Sequence, residues 1–121
     1  MYDHIGLRVK DMEKAVAFYT AALAPLGHRP GARGEGYAGF GPGPDSTPIW
    51  LHPTTNAGAA GAHICFTAKS RAEVDAFHAA ALKAGAKDNG APGLRPDYSP
   101  TYYAAFVIDA DNNNLEAVFT G

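Results

Sequence analysis

Apolar and polar residues alternate from the fourth position of the chain, with Ile5, Leu7 and Val9 on one side and His4, Gly6 and Arg8 on the other. Strict period-two alternation predicts a strand with one covered face. The spacing then changes. Met12, Ala15, Val16, Tyr19, Leu23 and Leu26 recur at helical intervals behind Asp11, which fits an N-cap. The same two signals return later. Ile64, Phe66 and Ala68 oppose His63, Cys65 and Thr67, and a helical stripe of Val74, Phe77, Ala81 and Leu82 follows. Ser70 and Glu73 form a capping box at its start, and Gly85 stops it.

The recurrence reaches individual residues. Shifting the chain by 59 positions matches His4 with His63, Ile5 with Ile64, Lys10 with Lys69, Phe18 with Phe77 and Leu23 with Leu82. A period near 60 is too long for a solenoid repeat and fits two tandem modules. Three shorter strands are expected in each, near 28–33, 36–40 and 48–52 in the first and near 86–88, 102–109 and 113–120 in the second. The segments YYAAFVID and NLEAVFT, joined by ADNN, read as a hairpin because Asn tolerates the left-handed backbone of a tight turn. The result is an α+β pattern, βαβββ twice. We place the first module at 1–53, a small-residue linker at 54–61 and the second module at 62–121.

If each helix covers the aliphatic face of its strands, the opposite faces line a cavity. His4 and His63 are the first cavity-facing positions of two equivalent strands. In the last strand Leu115, Ala117 and Phe119 go to the helix, which leaves Asn114, Glu116 and Val118 facing the same cavity. Two imidazoles and a carboxylate then converge, and a divalent cation would neutralise the carboxylate while fixing both rings. The ordinary alternative for each histidine is a polar side chain facing water across a groove.

Other positions on that side carry open readings. Arg8 suits a substrate carboxylate or phosphate, or an internal ion pair. Trp50 offers a stacking wall or merely fills space, and His52, on the same face of its strand, is a base at the rim or a solvent-exposed ring. Cys65 reads as a soft ligand, an oxidisable thiol or a small buried residue. Tyr103 alternates with Ala105 and Val107 and is expected in the cavity, within a Pro- and Tyr-rich segment, 93–103, that would act as a lid or cover a sheet edge.

Bulk properties narrow the function without choosing it. The 121 residues are 46% hydrophobic and 18% charged, which is ordinary for a folded domain. A net charge of -2 with no basic run argues against nucleic acid or anionic membrane as the partner. No apolar run approaches the roughly 20 residues of a membrane span. Cys65 is the single cysteine, so no intrachain disulfide forms, and a cytoplasmic location is expected.

The segments DHIGLRVKDMEKAVAFYTAALAPLG, AHICF and FVIDADNNNLEAV together resemble the vicinal oxygen chelate superfamily, which includes glyoxalase I, bleomycin-resistance proteins and extradiol dioxygenases. The resemblance implies paired βαβββ modules forming a half-open barrel around one divalent metal, with iron, zinc, manganese, nickel and cobalt all candidates. His4, His63 and Glu116 match its ligand positions. Where glyoxalase I has a further Glu, on the last strand of the first module, this chain has Trp50, whose indole N–H cannot ligate. The remaining set, two His and one Glu, is similar to the facial triad of iron(II) oxygenases. The resemblance also implies a small-molecule substrate and a homodimer. The modules would pair within one chain or be exchanged between two. A non-catalytic binder of bleomycin-resistance type, sequestering a planar compound against Trp50 and the tyrosines, is the alternative to an enzyme.

Overall fold

The computed structural model describes residues 1–56 and 61–121, so the linker expected at 54–61 lies partly outside the described residues. Each module is a strand, a helix and three further strands. The first contains β1 (Ile5–Val9), α1 (Met12–Leu23), β2 (Arg29–Gly34), β3 (Tyr37–Gly41) and β4 (Ile49–Pro53). The second contains β5 (His63–Thr67), α2 (Arg71–Lys83), β6 (Lys87–Leu94), β7 (Tyr103–Ile108) and β8 (Asn114–Phe119). The strands form two four-stranded sheets of matching order, β1-β4-β3-β2 and β5-β8-β7-β6. In both, the first strand runs parallel to the last and the remaining pairs are antiparallel. Among the described residues no helix is long and apolar enough to cross a membrane.

Local chemistry sets the helix ends. The Asp11 carboxylate accepts from the Lys14 N–H at 3.1 Å, satisfying one of the donors that a first turn leaves free. Ser70 does the same for Glu73 at 3.1 Å, while the Glu73 carboxylate reaches back to the Lys69 N–H at 2.8 Å. A 3-10 turn, Ala24–Leu26, extends α1 past Pro25 and ends at Gly27, whose φ of 85° suits a residue without Cβ.

The aliphatic faces of the sheets lie under the helices. Leu7, Val9, Phe40 and Leu51 are buried in the first module, and Phe66, Phe77, Val107, Leu115 and Ala117 in the second. Each fully buried aromatic or branched side chain contributes about 1.5–3 kcal/mol relative to exposure. The two helices also pack on one another, so the modules of one chain meet through α1 and α2. The opposite, concave faces of both sheets remain accessible, as the exposed Arg8, His63 and Cys65 show. A buried polar strap spans the helical seam. The Tyr19 hydroxyl on α1 donates to Asp109 at the end of β7, and Asp109 also accepts from the Asn113 backbone and side-chain N–H at 2.8 Å and from the Asp111 N–H at 2.9 Å. Burial and the adjacent Asp109 charge push the Tyr19 phenol far above its usual range.

One strand differs from expectation. β6 runs Lys87–Leu94, well beyond 86–88, because the stretch KDNGAPGL is bulged on both sides of Gly90. Glycine and proline there mark a bent strand, where the composition alone reads as loop. The hairpin after β7 turns through Asn112 in the left-handed region, φ 64°.

Candidate metal centre

Three strands of the second module bring the chemistry together. Cys65 on β5, Glu116 on β8 and Phe106 on β7 lie side by side in one row of the sheet. His63 precedes Cys65 by two positions and therefore shares its face. Its Nε2 stands 3.2 Å from Glu116 Oε1, and its Nδ1 stands 3.0 Å from the Asn114 carbonyl. A carbonyl only accepts, so Nδ1 carries a proton, and in the neutral ring Nε2 presents a lone pair. An ionised Glu116 oxygen also presents a lone pair. Two acceptors facing each other at this distance require a proton or a cation between them.

The geometry fits a cation. Adjacent ligands at right angles on an ion with bonds of about 2.1 Å lie about 3 Å apart. The backbone carbonyl fixing Nδ1 is the kind of support that metal-bound histidines use. Glu116 is held as well: it is only 3% exposed, and the Tyr102 hydroxyl donates to its other oxygen at 2.5 Å. Burial and that bond to Glu116 raise the Tyr102 phenol well above its usual range, so it remains a donor. Cys65 also touches this group. Partial burial and the Glu116 charge push its thiol up to about 12, so it stays a neutral thiol in neutral solution. Cys65 is not a small buried residue, because it reaches solvent.

His4 stands apart. It precedes β1, its Nδ1 pairs with Asp3 Oδ1 at 2.7 Å, and its side chain is 58% exposed. His4 and Cys65 both line a cavity of about 200 Å³ at the seam between the modules. Among the described residues of one chain, however, no three His, Cys, Asp or Glu side chains are grouped closely enough to hold a metal. A single chain thus joins His63 to Glu116 and leaves His4 outside the pair.

The concave face of the first module is built differently. Trp50 lies in one row with Gly6 and Gly39, and it occupies the register that Glu116 occupies in the second sheet. A Cβ on Gly39 would approach Trp50 Cζ3 to 2.9 Å, so the absence of a side chain there makes room for the indole. Tyr37 packs edge-on against Trp50 with ring centroids 6.1 Å apart. His52 leans over Gly6, where a Cβ would lie 3.3 Å from its Cδ2. Arg8 is the strand neighbour of His52 and is exposed.

Tyr103 faces α2 and not the cavity expected for it. Its hydroxyl donates to Asp75 on α2 at 2.6 Å, and the Arg71 guanidinium lies 4.9 Å from its ring centroid. It shares the helix-facing side with Ala105 and Val107; the next residues in the opposite phase, Tyr102 and Phe106, reach the concave side. Pairing the hairpin outward from its turn would have found them, because Phe106 must then face Glu116. Arg95 carried no comparable signal. Its place over Gly90 and Gly93 depends on the bends of β6.

A family model for the Glyoxalase/Bleomycin resistance protein/Dioxygenase superfamily matches residues 2–117. The chain belongs to this superfamily. It is 29% identical to a glyoxalase/bleomycin resistance protein from Albidiferax ferrireducens T118, with a TM-score of 0.83 and 98% of each chain covered. It is also similar in fold to the fosfomycin resistance protein FosX from Mesorhizobium loti, at 18% identity and a TM-score of 0.73 over 100% of this chain and 92% of that one. FosX from Listeria monocytogenes, whose structure holds manganese(II) and 1S,2S-dihydroxypropylphosphonic acid, gives 19% identity and a TM-score of 0.72 over 98% and 88%. No curated protein matches the chain. Superfamily membership accounts for the duplicated βαβββ architecture.

Proposed function

We propose that this superfamily member is a cytoplasmic homodimeric metalloenzyme of glyoxalase or extradiol-dioxygenase type. In this reading a divalent ion is held by His63 and Glu116 of one subunit and by the partner's His4, and it chelates vicinal oxygens of a small substrate. The observation that carries the reading is the approach of His63 Nε2 to Glu116 Oε1, 3.2 Å apart with both side chains fixed from behind. The accessible concave faces and the helix-to-helix packing of the modules support exchange, since each half-barrel then needs the other half from a second chain. The chemistry such an ion supplies is Lewis-acid stabilisation of negative charge on the substrate oxygens.

The chain's own residues have separable tasks. His63 and Glu116 hold the ion, and Glu116 also serves as the acceptor for a proton leaving the substrate. Tyr102 keeps one oxygen of that carboxylate occupied. Trp50 walls the pocket from the first module, with Arg8 orienting an anionic or polar substituent and His52 moving a proton at the rim. Cys65 contributes a neutral contact surface.

Metal content tests the reading. Protein purified without added metal and titrated with manganese(II) is expected to bind one ion per chain. His63→Ala and Glu116→Gln should lose this binding at least 100-fold, and His4→Ala should lose it too if exchange occurs. Mixing the His4→Ala and Glu116→Ala proteins then restores one intact centre per mixed dimer. An absence of stoichiometric metal in the parent protein rejects the enzyme reading. The Trp50–Tyr37 wall favours the alternative, a bleomycin-resistance-type binder of planar compounds, which would bind such a compound tightly without metal.

A further inference from the structure

Arg95 is a fixed cation on the concave face of the second module. One of its Nη1 protons is donated to the Gly93 carbonyl at 2.9 Å and one of its Nη2 protons to the Ala91 carbonyl at 2.8 Å. The guanidinium lies flat against backbone that carries no side chain, since a Cβ on Gly90 would come within 3.1 Å of Nη2 and one on Gly93 within 3.3 Å of Nη1. Its Cζ is 5.4 Å from the Phe106 ring centroid, and the other neighbour of Phe106 is His63, nearly parallel to it at 6.4 Å. Arg95, Phe106 and His63 therefore form one continuous surface leading to the acceptor pair.

Two features separate this arrangement from a purely structural tie. A guanidinium has five N–H groups, and two are engaged here, which leaves three donors. No Asp or Glu among the described residues forms an ion pair with it. The charge is half-buried, held by two backbone carbonyls, without a counter-ion among the described residues, and adjoins the His63–Glu116 pair through Phe106. Loop anchoring alone would be met by a neutral amide; a planar charged fork suits an oxyanion with two oxygens.

We propose that Arg95 recognises an anionic substituent, a carboxylate or a phosphonate-like group, and that the substrate of the proposed centre is accordingly a small anion. This inference rests on the metal-centre reading for the word substrate, but the anion site can be measured separately.

The full-length protein is titrated calorimetrically with methylphosphonate and, independently, with acetate, both as manganese(II)-loaded and as metal-free protein. The parent protein should bind at least one of the two, and the stronger ligand identifies the class of oxyanion. Arg95→Gln, which keeps an amide for the β6 carbonyls but no charge, should weaken binding at least tenfold. Arg95→Lys should fall between the two, and manganese(II) affinity should be unchanged in both variants. Equal anion binding by the parent and Arg95→Gln overturns the proposal, as does a parent protein that binds neither anion. If Gln fails to support the β6 bend, Arg95→Lys decides, since loss of the fork without loss of charge must still weaken a bidentate contact. A parent protein that takes up no manganese rejects the metal reading alone, because the metal-free titrations still decide the role of Arg95.

Discussion

The two modules share strand order and register yet place opposite chemistry in the same row. In the first sheet the central row reads Gly6, Trp50, Gly39; in the second it reads Cys65, Glu116, Phe106. The first gives its middle strand a large side chain and makes room for it at Gly39, while Gly6 makes room for His52. The second gives the middle strand an acid and puts the large ring on the neighbouring strand, where it packs beside His63. One backbone thus produces an aromatic wall and a paired imidazole and carboxylate. A duplicated fold fixes where side chains point, and the identity of three residues per row decides what the face does. The helices differ in the same way. Tyr19 on α1 and His78 on α2 are equivalent positions, but Tyr19 reaches across the seam to Asp109, whereas His78 bonds Asp88 in its own module at 3.0 Å.

Removing the cross-module strap should have the largest effect on stability. Asp109→Ala deletes an acceptor used by Tyr19, Asn113 and Asp111, whose four donors are all buried or half-buried. The expected loss is about 3 kcal/mol or more by urea unfolding, because bonds to a charged acceptor contribute about 1.5–3 kcal/mol each and are not additive. Tyr19→Phe should cost about 1–2 kcal/mol. The double variant should be no worse than Asp109→Ala within about 0.5 kcal/mol. Full additivity of the two losses would mean that the phenol and the carboxylate act independently, and the strap would cease to distinguish α1 from α2.

Trp50→Glu sharpens the comparison of the rows. It places a carboxylate in the first module at the register of Glu116, with glycine on both neighbouring strands to admit it. In the proposed exchanged centre it supplies one more ligand, and manganese(II) affinity should rise roughly tenfold, about 1.4 kcal/mol. Titration against a metal indicator measures this. An unchanged affinity would limit the equivalence of the rows to backbone geometry. The substitution also removes the wall, so a planar compound bound against Trp50 should dissociate more readily.

Much of this contrast was legible in the chain. The period of two followed by helical spacing, twice, located both modules, and counting along PIWLH and NLEAV placed Trp50 and Glu116 in equivalent registers. The pairing of His63 with Glu116 followed from the same counting. The failures have physical causes. Alternation divides a strand into two faces without saying which one the helix covers, and Tyr103 is an aromatic residue whose hydroxyl finds Asp75 at the helix edge. Arg95 depends on bulges that shift the register of β6 around Gly90, and period-two counting does not carry across a bulge. In the proposed exchange, the relation of His4 to the other two groups depends on how modules from different chains meet, which no local pattern encodes.

The smallest effect concerns the local clasp of α2. Asp88 accepts from the Gly90 N–H at 2.9 Å and pairs with His78 Nε2 at 3.0 Å. The Gly90 N–H first, and the His78 contact second, hold its carboxyl below the usual range. A carboxyl depressed on folding stabilises the native state fully above its unfolded pKa of about 4, and that contribution disappears as the pH falls through the lower folded value. Asp88→Asn should therefore be slightly less stable than the parent at neutral pH, and the two should converge in acid. Asp88 is exposed, so solvent screening keeps the difference small. Thermal unfolding at pH 7 and again below pH 3 measures it. A gap that persists in acid would assign the effect of the substitution to β6 geometry, and the α2 clasp would then owe nothing to charge. Tyr19→Phe provides the contrast on α1: burial first, and the Asp109 charge second, hold the Tyr19 phenol far above its usual range, so it titrates in neither solution and its own ionisation adds nothing to the pH dependence of that deficit.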